Sequence, residues 1–318
     1  MSKQANFKTM CGGQALIEGI MMRGPKKQAV VVRKSDGELE IQEKELRFIK
    51  DRYPILGWPL IRGVVNFADS MYNGVTALMY SAEFYPEDGE EEEPSKFEIW
   101  LNDRLGGEKF TALITTLAVL LGLAMSIGLF FLLPTLLGTA IRVLTPSMLA
   151  RNLAESFLKV LIFVAYLAVC SRMGEMKRVF SYHGAEHKTI FCYEAGLPLT
   201  VENVRKQPRH HPRCGTSFLF MVIAVSILVS TAVFAIWPVQ NAFLRFLAHL
   251  AMLPLIVGIS YEFNRWAGRH DGPITRILTA PGLWLQNFTT FEPDDSMIEV
   301  GVRALELVLP EVKGEDAW

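Results

Sequence analysis

The chain has 318 residues, a formal net charge of -1, half of its residues hydrophobic and only 20% charged. Its mean hydropathy of +0.24 argues against a pair of ordinary soluble domains. With no net positive charge and no basic tail, nothing favours a nucleic-acid partner.

Residues Met1 to Thr9 are polar and carry no apolar core followed by a small-residue cleavage site, so no signal peptide is expected. Beyond the glycine-rich opening Cys11-Gly12-Gly13-Gln14, the run Ala29 to Val32, the turn Ser35-Asp36-Gly37 and the alternation Glu38-Leu39-Glu40-Ile41 predict a β-hairpin bent at Asp-Gly. Residues 1–62 are therefore expected to form a small β-containing cytoplasmic domain. Residues 63–110 read as an amphipathic helix and an acidic linker. Val64, Phe67, Ala68, Met71, Val75, Leu78, Met79 and Ala82 recur at helical spacing, and Glu87 to Pro94 is an acidic run bounded by proline.

The apolar residues then gather into long runs. Thr111 to Leu133 and Thr216 to Trp237 carry no charge, Phe157 to Cys170 carries only Lys159, and Phe246 to Tyr261 carries none but contains His249. About 20 apolar residues suffice to cross a bilayer as a helix, so these runs predict an α-helical membrane protein with about four spans, in residues 111–261. The loop 172–215 between the second and third spans holds Arg172, Lys177, Arg178, Lys188, Arg205, Lys206, Arg209 and Arg213. The other connections offer only Arg142, Arg151 and Arg245. Positive charge near span ends marks the cytoplasmic side, which places this loop and both termini there and the chain in the cytoplasmic membrane. The second span is expected to continue as a helix through Arg172, Glu175 and Lys177, with Gly174 a candidate kink, to a glycine cap at Glu194-Ala195-Gly196. Residues 262–318 are expected to form a cytoplasmic segment with an interfacial stretch around Trp284 and an amphipathic helix capped at Ser296-x-x-Glu299.

Two motifs in the loop, Tyr182-His183-Gly184-Ala185-Glu186-His187 and His210-His211-Pro212-Arg213-Cys214-Gly215, hold four of the six histidines. On a helix, His183 and His187 stand one turn apart on one face with Glu186 beside them. In the His-x-x-Glu-His form two imidazoles bind zinc and the carboxylate acts on a bound water. His211-x-x-Cys214 adds an imidazole and a thiolate, both good zinc donors. His183, His187, His211 and Cys214 are thus the expected ligands of a divalent metal such as zinc. Four protein ligands close a structural site, whereas three leave room for water, with Glu186 as general base and Arg213 offsetting charge on a substrate anion. Glu262, just past the fourth span, is a further candidate ligand or supporting carboxylate, or else an interfacial acid. His249, inside a span, is a functional candidate on burial cost alone, or a histidine satisfied by helix packing. Phosphate-binding glycine loops, Gly-x-Ser-x-Gly elbows and Cys-x-x-Cys pairs are absent from the sequence.

Several long motifs occur in order: Gly13-Gln14-Ala15-Leu16-Ile17-Glu18-Gly19-Ile20-Met21-Met22-Arg23-Gly24-Pro25, Tyr182 to Lys188, His211 to Phe218, Gly282-Leu283-Trp284-Leu285-Gln286 and Thr289-Thr290-Phe291-Glu292-Pro293. Together they resemble the YqhQ-like bacterial membrane proteins over roughly residues 11–303. That resemblance implies a family of unknown function, sometimes labelled a predicted metal-dependent enzyme, with no established substrate. Phe291 departs from the pattern, which would place a polar or basic residue before Glu-Pro.

The expectation is a membrane-integrated metal-binding protein whose partners are the bilayer and other membrane proteins. Two functions are expected from different classes: metal-dependent hydrolysis at the cytoplasmic membrane surface, or a non-enzymatic assembly factor in which the metal is purely structural.

Overall fold

The structure is a computed structural model that describes residues 7–85, 104, 106–141, 147–270, 272–312 and 314–317. The acidic run Glu87 to Pro94 lies outside the described residues. The chain divides into two compact units, one of Met1–Tyr85, Val164–Val229 and Met252–Trp318, the other of Pro86–Phe163 and Ser230–Ala251.

The first unit is built on an antiparallel meander, β1 (Gly12–Leu16), β2 (Gly19–Arg23), β3 (Lys27–Arg33) and β4 (Leu39–Glu45), in the order β1-β2-β3-β4. The β3–β4 connection is the expected Asp-Gly bend. Gly37 has φ +89, a left-handed conformation that glycine adopts without a Cβ clash. The register pairs Ile20 with Val31, Met21 with Val30 and Met22 with Ala29.

Because side chains alternate along a strand, this register sorts β2 and β3 onto two buried faces. Ile20, Met22, Ala29 and Val31 pack with Tyr182, Ala185 and Ile190 and with Met297, Val300, Ala304 and Leu305. These partners come from α6 (Gly174–Glu194) and α11 (Asp295–Glu306). On the other face Leu16, Met21, Val30 and Val32 pack with Ala77, Tyr80 and Phe84, at the end of α2 (Ile61–Ala82). The sheet is thus covered on both sides, which explains why Ala29 to Val32 reads as an unbroken apolar run rather than an alternating one. Each fully buried side chain such as Ile20 or Met22 contributes about 1.5–3 kcal/mol. A short helix, α1 (Ile49–Arg52), links the sheet towards α2.

Among the described residues, four helical stretches are long and apolar enough to cross a membrane: Leu113–Ala140, Ala150–Cys170, Gly215–Ile236 and Ala242–Arg269. The first joins α3 (Gly107–Ile127) through a π-helical turn, Gly128–Leu132, to α4 (Leu133–Ala140). The others lie in α5 (Met148–Cys170), α8 (Gly215–Ile236), which follows the short α7 (Val201–Arg205), and α9 (Ala242–Arg269). The protein is therefore a helical membrane protein with a small N-terminal sheet, as the composition and periodicity predict.

Three local expectations are corrected. The second span does not run on through Arg172. α5 ends at Cys170, a turn occupies 171–173, and α6 starts afresh at Gly174, with an extended Met173 at its N-cap. Helix α11 is capped by Asp294, whose carboxylate accepts from the Met297 N–H at 3.0 Å, and not by Ser296. Ser296 instead donates its hydroxyl to Asp294 at 2.6 Å. Arg151 and Arg245, counted above as connection charges, lie within α5 and α9 and are buried.

That last correction exposes a buried ionic network in the second unit. Glu155 accepts from Arg245 Nε at 2.7 Å and from Thr135 Oγ1 at 2.9 Å, with His249 Nε2 at 2.7 Å. Lys159 Nζ lies 3.5 Å from the same carboxylate. Arg245 also donates to Asn152 at 2.6 Å and stacks over the Phe234 ring at 3.9 Å. Charges in apolar helices persist only when paired in this way, so Glu155 fixes α4, α5 and the start of α9 together.

Candidate metal centre

The geometry of the centre begins with helix α6, on which the i, i+4 spacing brings His183 and His187 together with ring centroids 4.3 Å apart. Each ring is oriented by a backbone carbonyl. His183 Nδ1 lies 2.8 Å from the Thr289 carbonyl oxygen, and His187 Nδ1 lies 2.6 Å from that of Arg209. A carbonyl only accepts, so both Nδ1 atoms carry a proton, and in the neutral rings it is Nε2 that keeps the lone pair. Cys214 Sγ lies 3.1 Å from His183 Nε2. His187 Nε2 is buried without a hydrogen-bond partner among the described residues. One donor atom from each of His183, His187 and Cys214 falls within 4.8 Å of the others. Zinc bonds of about 2.0–2.3 Å place tetrahedral ligand atoms about 3.5 Å apart, so this set can close on one ion with little movement.

Close backbone approaches hold α6 in place. Gly184 lies directly against the Phe291 carbonyl oxygen, where any Cβ would collide. The Phe291 N–H in turn donates to the Phe180 carbonyl at 2.9 Å. Position 291 therefore meets α6 through its main chain.

Glu186 is buried beside this group. Its Oε1 accepts from the Gly13 N–H at 2.9 Å, while Oε2 has no hydrogen-bond partner among the described residues. Burial pushes its carboxyl pKa up, partly opposed by His183 and His187. Burial would likewise raise the Cys214 thiol, but the positive potential of His183 and His187 outweighs it and brings the pKa well down. Burial disfavours the charged form of His183, yet the adjacent thiolate prevails and lifts its pKa to about 9. Thr216 steadies the same sulfur, with its hydroxyl at 3.2 Å. The Cys214 thiol and the His183 ring thus favour each other's charged forms beside the buried Glu186 carboxyl.

The remaining expected residues are placed elsewhere. His211, expected as a fourth ligand, turns its Nε2 to Arg213 at 3.3 Å and to Glu194 at 3.8 Å. Burial, outweighing Glu194, lowers its pKa to about 4, so it stays neutral. Arg213 is ion-paired with Glu194. Glu262 is held by Arg62, whose Nε donates at 2.7 Å, and by the Leu60 N–H at 3.3 Å. Three of the four expected ligands and the expected base therefore converge, while neutral His211 sits against the Arg213–Glu194 pair and Glu262 is paired with Arg62.

Gln286 is a supporting residue that pattern reading assigned no role. The fully buried Gln286 accepts from the His211 N–H at 2.7 Å and donates back to its carbonyl at 2.8 Å, clamping the loop that carries Cys214. Gly13 carries the N–H that holds Glu186, and a Cβ there would come within 3.2 Å of the Glu186 carboxyl carbon.

A family model described as protein of unknown function (DUF1385) matches residues 58–311. A protein of Bacillus subtilis (strain 168) named "Uncharacterized protein YqhQ" is 34% identical over 299 residues, covering 94% of this chain and 92% of that protein. No solved structure matches. Extent and identity together settle the family: the chain belongs to the DUF1385, YqhQ-like proteins.

Proposed function

We propose that this protein is a membrane-integrated metal-dependent hydrolase in which His183, His187 and Cys214 hold a divalent ion of the zinc class. One observation carries the reading. Both imidazoles have Nδ1 committed to a backbone carbonyl, leaving Nε2 and a depressed-pKa thiol converging on one point. That is the supported-ligand arrangement expected of metal-binding histidines. The bound ion would supply Lewis-acid polarisation and a water acidified towards neutral pH.

The chain's own residues supply the rest. Three protein ligands leave a fourth position open. Glu186, anchored through Oε1 and with Oε2 unpartnered among the described residues, would be the group that accepts a proton from water there, and burial raises its pKa above the usual carboxylate value. The basic residues of 172–213 favour placing this centre on the cytoplasmic side. The burial of Arg151 and Arg245 sharpens that contrast, because neither contributes charge to the opposite connections.

The competing function is an assembly factor for membrane proteins whose metal only staples the loop to the sheet domain. It draws on the exposed apolar side chains of α2, among them Met71 and Tyr72. Glu186→Gln separates the two. Native membranes incubated with wild-type or variant protein are compared by mass spectrometry for released products. The hydrolytic reading expects products from the wild type alone, with metal retained in both. Equal products, or none from the wild type, would return the metal to a structural role.

A further inference from the structure

Beside the metal centre, the first unit contains a separate cavity of about 420 Å³. Its polar lining comes from Lys8, Arg213, His270, Thr275, Arg276 and Thr279, and none of its described lining residues is acidic. Its volume falls in the range of small-ligand sites. The cavity does not share the ligands of the metal centre, and its chemistry is different. Where the centre offers lone pairs, the cavity offers donors.

The cations are held to different degrees. Arg213 is fixed by Glu194, and Lys8 donates to the Gly268 carbonyl at 3.3 Å. The Arg276 guanidinium, by contrast, has no side-chain partner among the described residues. It stands in the first turn of α10 (Pro273–Thr289), which has no acidic residue and no side-chain cap. In that turn Pro273 has no N–H and the Arg276 N–H is bonded to the Gly272 carbonyl at 3.1 Å, so Thr275, in the cavity lining, stands at the positive end of the helix dipole. A basic, donor-lined cavity at such a terminus selects an anion with several acceptor oxygens.

The setting narrows the source of that anion. Ala267 and Gly268, at the end of the fourth span, form one wall of the cavity. The helix that starts there exposes Ile274 and Ile277 at 66% and 72%. A span ending in arginines beside a helix with exposed apolar residues is the arrangement expected at headgroup depth. We propose that this cavity binds a phosphate group, supplied by the headgroup of an anionic phospholipid. The assignment does not depend on whether a metal occupies the neighbouring centre.

The test uses the full chain in phosphatidylcholine nanodiscs. In one arm phosphatidylglycerol is added, and retained lipid is read by native mass spectrometry. In the other, glycerol phosphate is titrated and binding is read by phosphorus NMR. The wild type is expected to retain phosphatidylglycerol saturably. Arg276→Glu should weaken this about tenfold or more, Arg276→Lys should restore most of it, and added salt should weaken it further. Metal content should be the same in all three proteins. Saturable glycerol phosphate binding that Arg276→Glu abolishes, with no lipid preference, supports the phosphate site and overturns the lipid source. Equal retention by wild type and Arg276→Glu, or no saturable binding in either arm, overturns the proposal.

Discussion

At Gly184 a single hydrogen in place of a side chain lets α6 lie on the Phe291 carbonyl. Histidines on either side of that contact, His183 and His187, depend on it for their position, because their rings are aimed by the carbonyls of Thr289 and Arg209. Gly184→Ala must displace either α6 or the strand-like 290–291 segment. It should cost about 1–3 kcal/mol in stability and lower metal occupancy together with it, measured by thermal unfolding in detergent and by elemental analysis. A variant as stable as the wild type would show that the two backbones do not meet as closely as described. Pairing of the two histidines and the nearby base was legible in the sequence, since a helical i, i+4 spacing makes it a local property. The exclusion of His211 was not. It depends on Glu194 and Arg213, whose meeting with His211 is a matter of tertiary packing.

Elements were legible where the pattern was strong and obscured where charge intervened. The β3–β4 bend, the length of α2 and the glycine end of α6 all follow from local signals. Cap positions were harder, because Asp294 and Ser296 are both good N-caps and only the hydrogen bond to Met297 decides. Replacing Asp294 with Ala should cost about 1 kcal/mol at neutral pH. Burial tends to raise the Asp294 pKa, but hydrogen bonds from Ser296 and Met297 prevail and lower it. A depressed carboxylate pKa stabilises the fold above the unfolded value near 3.9 and is lost as pH falls through the folded value. Unfolding temperatures taken at pH 7 and below pH 4 should therefore show a smaller acid loss in Asp294→Asn than in the wild type. An identical loss in both would remove Asp294 from the account.

The spans containing Glu155 and Arg245 were under-read for a related reason. A hydropathy scan ends a span at the first charges, whereas here the charges neutralise one another inside the helices. Glu155→Ala leaves Arg245 and Lys159 without their shared carboxylate and should destabilise the protein by about 3–5 kcal/mol. Glu155→Gln should cost less, as it keeps hydrogen-bond acceptors. Denaturation of the purified variants in mild detergent checks the order. Equal and small effects would mean that the network is not holding α4, α5 and α9.

At the scale of the whole molecule, four apolar runs and one hairpin sufficed to specify a helical membrane protein with a small sheet, because both signals are periodic and local. The covering of that sheet by α6 and α11 on the face opposite α2 was not legible, since it joins segments more than a hundred residues apart in the chain. That sandwich delivers Gly13 to Glu186 and so connects the N-terminal sheet to the metal centre. The central claim is that His183, His187 and Cys214 form a metal site, and elemental analysis of the full chain purified without added metal tests it most directly. The account predicts close to one zinc-class ion per chain, lost from a His183→Ala, Cys214→Ala double variant and retained in Glu186→Gln. A wild-type protein without stoichiometric metal, or a double variant that keeps it, would contradict the account.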